Sequence, residues 1–353
     1  GFSTAQLNAM STEQLVKITT AAVARLTTAQ VASLNTTLLP ALTTTQMGAL
    51  SLNATRAITT SQVTDLLASQ INALTTTNVA GLTSSQLSNL NTTQVAGLAT
   101  ATVNAMTTTQ MQAFTSTQVA KLDTSVIANL KTSQVAALKT DQVAALTTNQ
   151  IEALTTTSVA KLDTTQLTAL TTTQVPKLSS NQVSNLSTAQ VAALTTAQIA
   201  TVNTSAFAAM STAQINALTT SQVAAMSTNQ VVSLTTDQVA SMKTEQIAAL
   251  TTDGVVALEN ADIDALTTSQ MRALTTAQVQ ALSTGDIARL STSQITAMRG
   301  DQIAALKTDQ VQKLTTEQVS TLTSTQVGAL STAQTAVLTA AQVQGAGTSF
   351  IAS

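Results

Sequence analysis

Residues 10–17 read Met10-Ser11-Thr12-Glu13-Gln14-Leu15-Val16-Lys17. Ser11 and Gln14 stand at the S/T-x-x-Q spacing of a helix capping box. In that motif the hydroxyl accepts from the third helical N–H, and the Gln side chain accepts from the N–H of the cap residue. Met10 and Leu15 flank the box as a hydrophobic staple, the pair that fixes how a chain enters a helix. Thr12 offers an equally suitable cap one residue later. Glu13 falls near the start and Lys17 at the end, the order the helix dipole favours, and the two form an i,i+4 pair in the better direction.

The same eight residues recur outward from this stretch in both directions. With position a set at Phe2, an a position falls at every eighth residue to Leu338, and all 43 are apolar: 32 Leu, six Met, two Ile, two Phe and one Val. Position f is apolar from Leu7 to Val343 except at Thr55 and Thr335. Position c is Thr or Ser except at Leu52, Ala68, Asn260, Gly300 and Ala340, and position e is Gln in 32 octads. Positions g and h are mostly small. The consensus is L-T-T-x-Q-V-A-A, and no insertion shifts it. The chain therefore reads as a single solenoid-like array over 1–343, in which each unit buries its apolar face only against its neighbours, with a non-repeat tail at 344–353.

A continuous helix is excluded, because eight residues make about 2.2 turns and the a/f stripe would wander around the axis. Two architectures remain. The first is an all-α solenoid with one short helix per octad. Eight of the 16 acids occupy d and seven of the 14 bases occupy h, with no Lys or Arg at c, d, e or f; that polarity suits a helix dipole. The second is a β-solenoid, with a, c and e pointing inward and Thr and Gln in stacked ladders. Pro40 and Pro176, both at g, speak for it, since Pro removes a helical hydrogen bond. The chain has only ten Gly, and they follow no octad rule. Tight β-corners need residues with positive φ, so the helical solenoid is the favoured expectation. Small g and h residues should let neighbouring turns approach closely.

Composition narrows function. The 353 residues contain no His, no Cys, no Trp and no Tyr, and only 8% are charged, against roughly 25% in a typical soluble domain. With a net charge of −2 and almost nothing to stack on bases, a nucleic-acid partner is not expected. No apolar run approaches the ~18 residues of a membrane span. Triads and thiol mechanisms lack their residues, and no phosphate-cradling Gly loop is present. No enzyme, cofactor, metal site or small-molecule substrate is expected. One acidic cluster, Glu259, Asp262 and Asp264, offers a weak cation site or acid/base pair, against the plainer reading of a solvated variant octad. Rows of Thr at b and c suit ice binding or O-glycan attachment, against the plainer reading of capping.

The run L-T-T-x-Q-V-A-A resembles the Ala/Thr/Gln octad tracts of large bacterial secreted or surface proteins, often labelled adhesion or haem-utilisation proteins. The resemblance covers residues 2 to about 343. It implies an extracellular or cell-surface structural role. A haem role does not carry over, because no His or Cys is present to ligate iron and the Met residues mostly occupy a or f.

The chain opens on Gly1 rather than Met, as a processed form or a piece of a longer protein would. Neither end reads as a polar shielding cap, and the a and f seams at the two ends match by repetition. A head-to-tail contact that does not close gives an open filament. The leading expectation is a subunit of a self-assembling extracellular filament, sheath or surface fibre, with Phe350 and Ile351 of the tail as docking anchors on a neighbouring copy. The alternatives are a passive adhesin stalk and an ice-binding Thr array.

Overall fold

In the computed structural model, residues 2–345 are described. Each octad forms one short helix: 41 α-helices of four to six residues and two 3₁₀ turns follow one another, with no strand among the described residues. The pattern of Thr147–Leu154 is typical. Thr147 is extended (φ −71°, ψ 160°) and its hydroxyl accepts from the Gln150 N–H at 3.2 Å, while Gln150 Oε1 accepts from the Thr147 N–H at 2.8 Å. The helix runs Thr148–Ala153, and Leu154 returns to φ −60°, ψ 137°. So b is the cap, c is the first helical residue, and the extended pair a–b joins one helix to the next. These joints use negative φ throughout, so the corners need no Gly, and the helical expectation holds over the β-solenoid.

The two Pro octads show why g tolerates Pro. Elsewhere the g N–H bonds back to c, as Val16 does to Thr12 at 3.1 Å. With Pro40 and Pro176 the helix tightens to a 3₁₀ turn at Leu39–Ala41 and Val175–Lys177. Leu39, Leu42, Val175 and Leu178 remain buried, so one lost bond leaves the register intact.

The chain forms two compact units, Gly1–Asn185 and Leu186–Ser353, and the division falls at an octad boundary. Each is an α-solenoid by the same rule: a helix packs on the helix three octads further on. In the first unit Ser116–Val119 packs on Thr140–Ala145; in the second, Thr236–Ser241 packs on Asn260–Ala265. The core of each is the paired a/f seam, with f deepest: Val143 is fully buried and Leu146 nearly so. Such short helices are unstable alone, so they exist because the seam joins them. Thr55, one of the two polar f residues, is also buried, and its hydroxyl donates to the Ser51 carbonyl at 3.1 Å.

Successive coils meet closely at g and h. A Cβ added to Gly48 would lie 2.8 Å from the Ala73 carbonyl oxygen, 25 residues on, which accounts for the small residues there. Ion pairs form across the same seam: Glu152 with Lys177 at 3.2 Å, and Asp264 with Arg289. The pair within an octad that spacing suggested, Glu13–Lys17, does not close; Arg299 pairs instead with Asp301. Short helices place d and h on opposite ends, while the facing coil brings g and h together.

The caps carry a measurable share of stability. Replacing Thr147 by Ala is expected to cost about 1 kcal/mol, read as a lowered urea midpoint. Lys139 keeps only the Gln142 half of its box, so Lys139→Ala should be near neutral.

Candidate functional site

The most regular polar group in each unit is the Gln at e, and from Gln46 onward it is buried. Gln142 is typical. Its Oε1 accepts from the Lys139 N–H at 2.8 Å, closing its own helix. Its Nε2 donates to the carbonyls of Met111 at 2.9 Å and Phe114 at 2.7 Å, one coil back. The same pattern recurs in the second unit, where Gln302 accepts from Arg299 and donates to Met271 and Leu274. Beyond the first coil, a Gln such as Gln142 or Gln302 therefore caps its own octad and clamps the a carbonyl 28 residues earlier together with the f carbonyl 31 residues earlier, or, as at Gln70 and Gln166, the g carbonyl 30 residues earlier. Those carbonyls lie at a helix C-terminus, where the regular helical donors run out; the f carbonyl is left with the N–H of the next a residue, as Met271 is with Leu274 at 3.3 Å. A coil accordingly takes between three and four octads. Sequence reasoning found the capping half and missed the clamp. The signal was present: a capping box accepts Glu as readily as Gln, yet no e position is Glu. A carboxylate has no N–H to donate.

The acidic cluster does not come together as a cation site, and no group of three metal-ligating side chains gathers among the described residues. Asp262, at e, is buried; its Oδ2 accepts from the Glu259 N–H at 3.1 Å and its Oδ1 from the Thr236 hydroxyl at 3.0 Å. Asp264 is taken by Arg289, and Glu259 stands exposed at the cap. The solvated-variant reading holds for Glu259 and for Asp264, whose ion pair is solvent-exposed, but not for Asp262, which replaces a buried Gln.

The Thr rows divide in two. Hydroxyls at b are consumed by caps, whereas c and d face outward and are largely exposed. The tail anchors Phe350 and Ile351 lie outside the described residues.

Three carboxylates sit below their ordinary range. Asp163 caps Thr164–Ala169; the Thr165 hydroxyl at 2.6 Å and the Gln166 N–H at 2.7 Å favour its charged form. Ser125 does the same for Asp123, and Arg299 for Asp301. A depressed folded pKa gives stability that is present above the unfolded value, about 4, and lost as pH falls through the folded value. Asp163→Asn keeps a capping side chain, as at Asn91 and Asn203. Its denaturation midpoint is expected to fall less between pH 5 and pH 2.5 than that of the parent chain.

At residues 2–30 the first unit presents an open cleft of about 330 Å³ lined by Phe2, Thr19, Ala22, Arg25, Leu26 and Gln30. Phe2 is 42% exposed. The Oε1 atoms of Gln6 and Gln14 close their own boxes, but their Nε2 atoms meet no acceptor among the described residues. In the second unit the last clamp observed is Gln342 on Leu314. The carbonyls of Leu322 and Leu330 receive no Gln among the described residues. Among the described residues no helix is long and apolar enough to cross a membrane.

Comparison with curated proteins returns no match. The ALTTAQ repeat matches in nine stretches, residues 1–36, 119–156, 148–180, 159–196, 176–204, 196–228, 223–252, 255–292 and 281–316. Together they span more than half of the sequence, with the caps, seam and clamps of both units among them, and the chain belongs to the ALTTAQ repeat family.

Proposed function

We propose that this repeat protein is a non-catalytic structural subunit that joins head to tail with further copies into an extracellular filament, sheath or surface fibre. The observation that supports it most is a matched pair of surfaces. The coil at residues 2–25 offers the Nε2 groups of Gln6 and Gln14, which meet no acceptor among the described residues, beside exposed Phe2. The coils at residues 319–338 offer a and f carbonyls that receive no Gln clamp among the described residues. Within each unit this donor–acceptor pair is what joins one coil to the next, so a second copy would continue the stack. The resemblance to bacterial surface tracts supports the extracellular location. It supports equally a passive stalk in a larger adhesin, which would use the same coil stacking within one chain. The exposed Thr at c supports an ice-binding array; an absence of thermal hysteresis would remove that reading.

Sedimentation velocity over a concentration series tests the filament. The parent chain should form species that grow with concentration, and Gln6→Ala/Gln14→Ala should shift growth to higher concentration. A chain that stays monomeric throughout, unaffected by the substitutions, overturns the proposal.

A further inference from the structure

Eleven octads lack Gln at e, and in two of them the structure supplies a replacement from another coil. The octad at Leu98 carries Ala99 at b and Thr102 at e, so it has neither a hydroxyl cap nor a Gln. Asn72, at g and 27 residues earlier, takes over. Its Oδ1 accepts from the Ala99 N–H at 2.8 Å and from the Thr102 hydroxyl at 2.8 Å. Its Nδ2 donates to the Gly97 carbonyl at 2.8 Å. Asn8 repeats the arrangement beneath Asn35, whose octad has Leu38 at e: Oδ1 accepts from the Asn35 N–H at 3.0 Å and Nδ2 donates to the Ser33 carbonyl at 2.8 Å. A Gln at e reaches back to clamp a joint; an Asn at g reaches forward to clamp one.

Two further Asn at g show what happens when the replacement is not needed. Asn104 lies 27 residues before Lys131, and Asn216 lies 27 before Lys243. In both cases the upper octad keeps its Gln, and Gln134 and Gln246 already accept from the Lys131 and Lys243 N–H groups at 3.0 and 2.9 Å. The Oδ1 atoms of Asn104 and Asn216 are buried with no partner. One residue type at one position is thus engaged where Gln is missing and idle where Gln is present.

We infer that Asn72 and Asn8 are trans-acting helix caps, positioning residues that stand in for the missing Gln of the octad four units further along. The cap belongs to a specific pair of octads, so it marks which octad stacks on which in an otherwise uniform array. The inference does not depend on filament assembly.

Amide hydrogen exchange on the full chain tests it. Asn72→Ala should raise exchange at Ala99 by roughly five- to tenfold, the scale set by one lost hydrogen bond. Asn72→Ala/Thr102→Gln should restore protection, because the octad then carries its own box. Asn104→Ala should leave exchange at Lys131 unchanged. Unchanged exchange at Ala99 in Asn72→Ala, or a loss at Lys131 equal to that at Ala99, overturns the inference. Should Asn72→Ala not fold, Thr102→Gln alone decides: added protection at Ala99 in the otherwise intact chain that is indifferent to a further Asn72→Ser change supports the replacement, and no recovery of a folded Asn72→Ala/Thr102→Gln chain overturns it.

Discussion

Gln142→Ala is expected to destabilise the first unit by about 3 kcal/mol, read as a lowered urea midpoint. The side chain is fully buried and makes three bonds. A buried hydrogen bond contributes about 1 kcal/mol net, and leaving its partner unsatisfied costs about 1–3 kcal/mol. Removal orphans the carbonyls of Met111 and Phe114 together, in a seam that admits little water. Gln142→Glu should cost more than Ala. It keeps the acceptor for the Lys139 N–H but turns an anion toward two carbonyl oxygens, with no N–H left to give them. A Glu variant as stable as the parent would show that the amide donor contributes nothing.

The second large effect is expected at Phe207, the largest fully buried side chain. Phe207→Ala should cost about 3–5 kcal/mol through lost burial and the cavity left behind. Its octad has Ala206 at e and therefore no Gln clamp of its own; the cap is Asn203, whose Oδ1 accepts from the Ala206 N–H at 2.8 Å. The f contact holds that helix together with the Gln238 amide, which donates to the Ala208 and Met210 carbonyls at 3.2 and 2.6 Å. Phe207→Leu should cost less than about 1.5 kcal/mol, because volume is largely kept and Leu already serves at f in Leu87 and Leu167. In a repeat array each unit interacts with near neighbours, so Phe207→Ala should open its own coil first, and a melting curve should broaden as well as shift.

The local structure was legible in the sequence because it depends on contacts within eight residues. Ser11 and Gln14 announce a capping box, and the structure closes it with Gln14 accepting from the Ser11 N–H at 2.9 Å. Apolar a and f announce the seam. The weight given to Pro40 and Pro176 as signs of a strand was misplaced: a six-residue helix loses only one bond to a Pro at g, and a 3₁₀ turn absorbs it.

Coil geometry was not legible, and the reason is the repeat itself. When every octad resembles every other, sequence gives no signal for which one stacks on which. Only departures from consensus carry that information, as at Asn72 with Ala99 and Thr102, and their meaning needs the 27-residue spacing that folding supplies. The acidic cluster misled for a related reason. Glu259, Asp262 and Asp264 are close in sequence, but b, e and g point to a cap, the interior and the facing coil.

The central claim is that the buried Gln at e, where an octad has one, clamps a joint one coil back, 28–31 residues away. Hydrogen exchange of Gln142→Ala against the parent chain tests it most directly. Exchange should rise in two separate segments, the local helix at residues 139–143 and the clamped joint with its neighbours at residues 111–115. The helix at Thr124–Ala128 between them should stay protected. A rise confined to residues around Gln142, with 111–115 unchanged, would contradict the account.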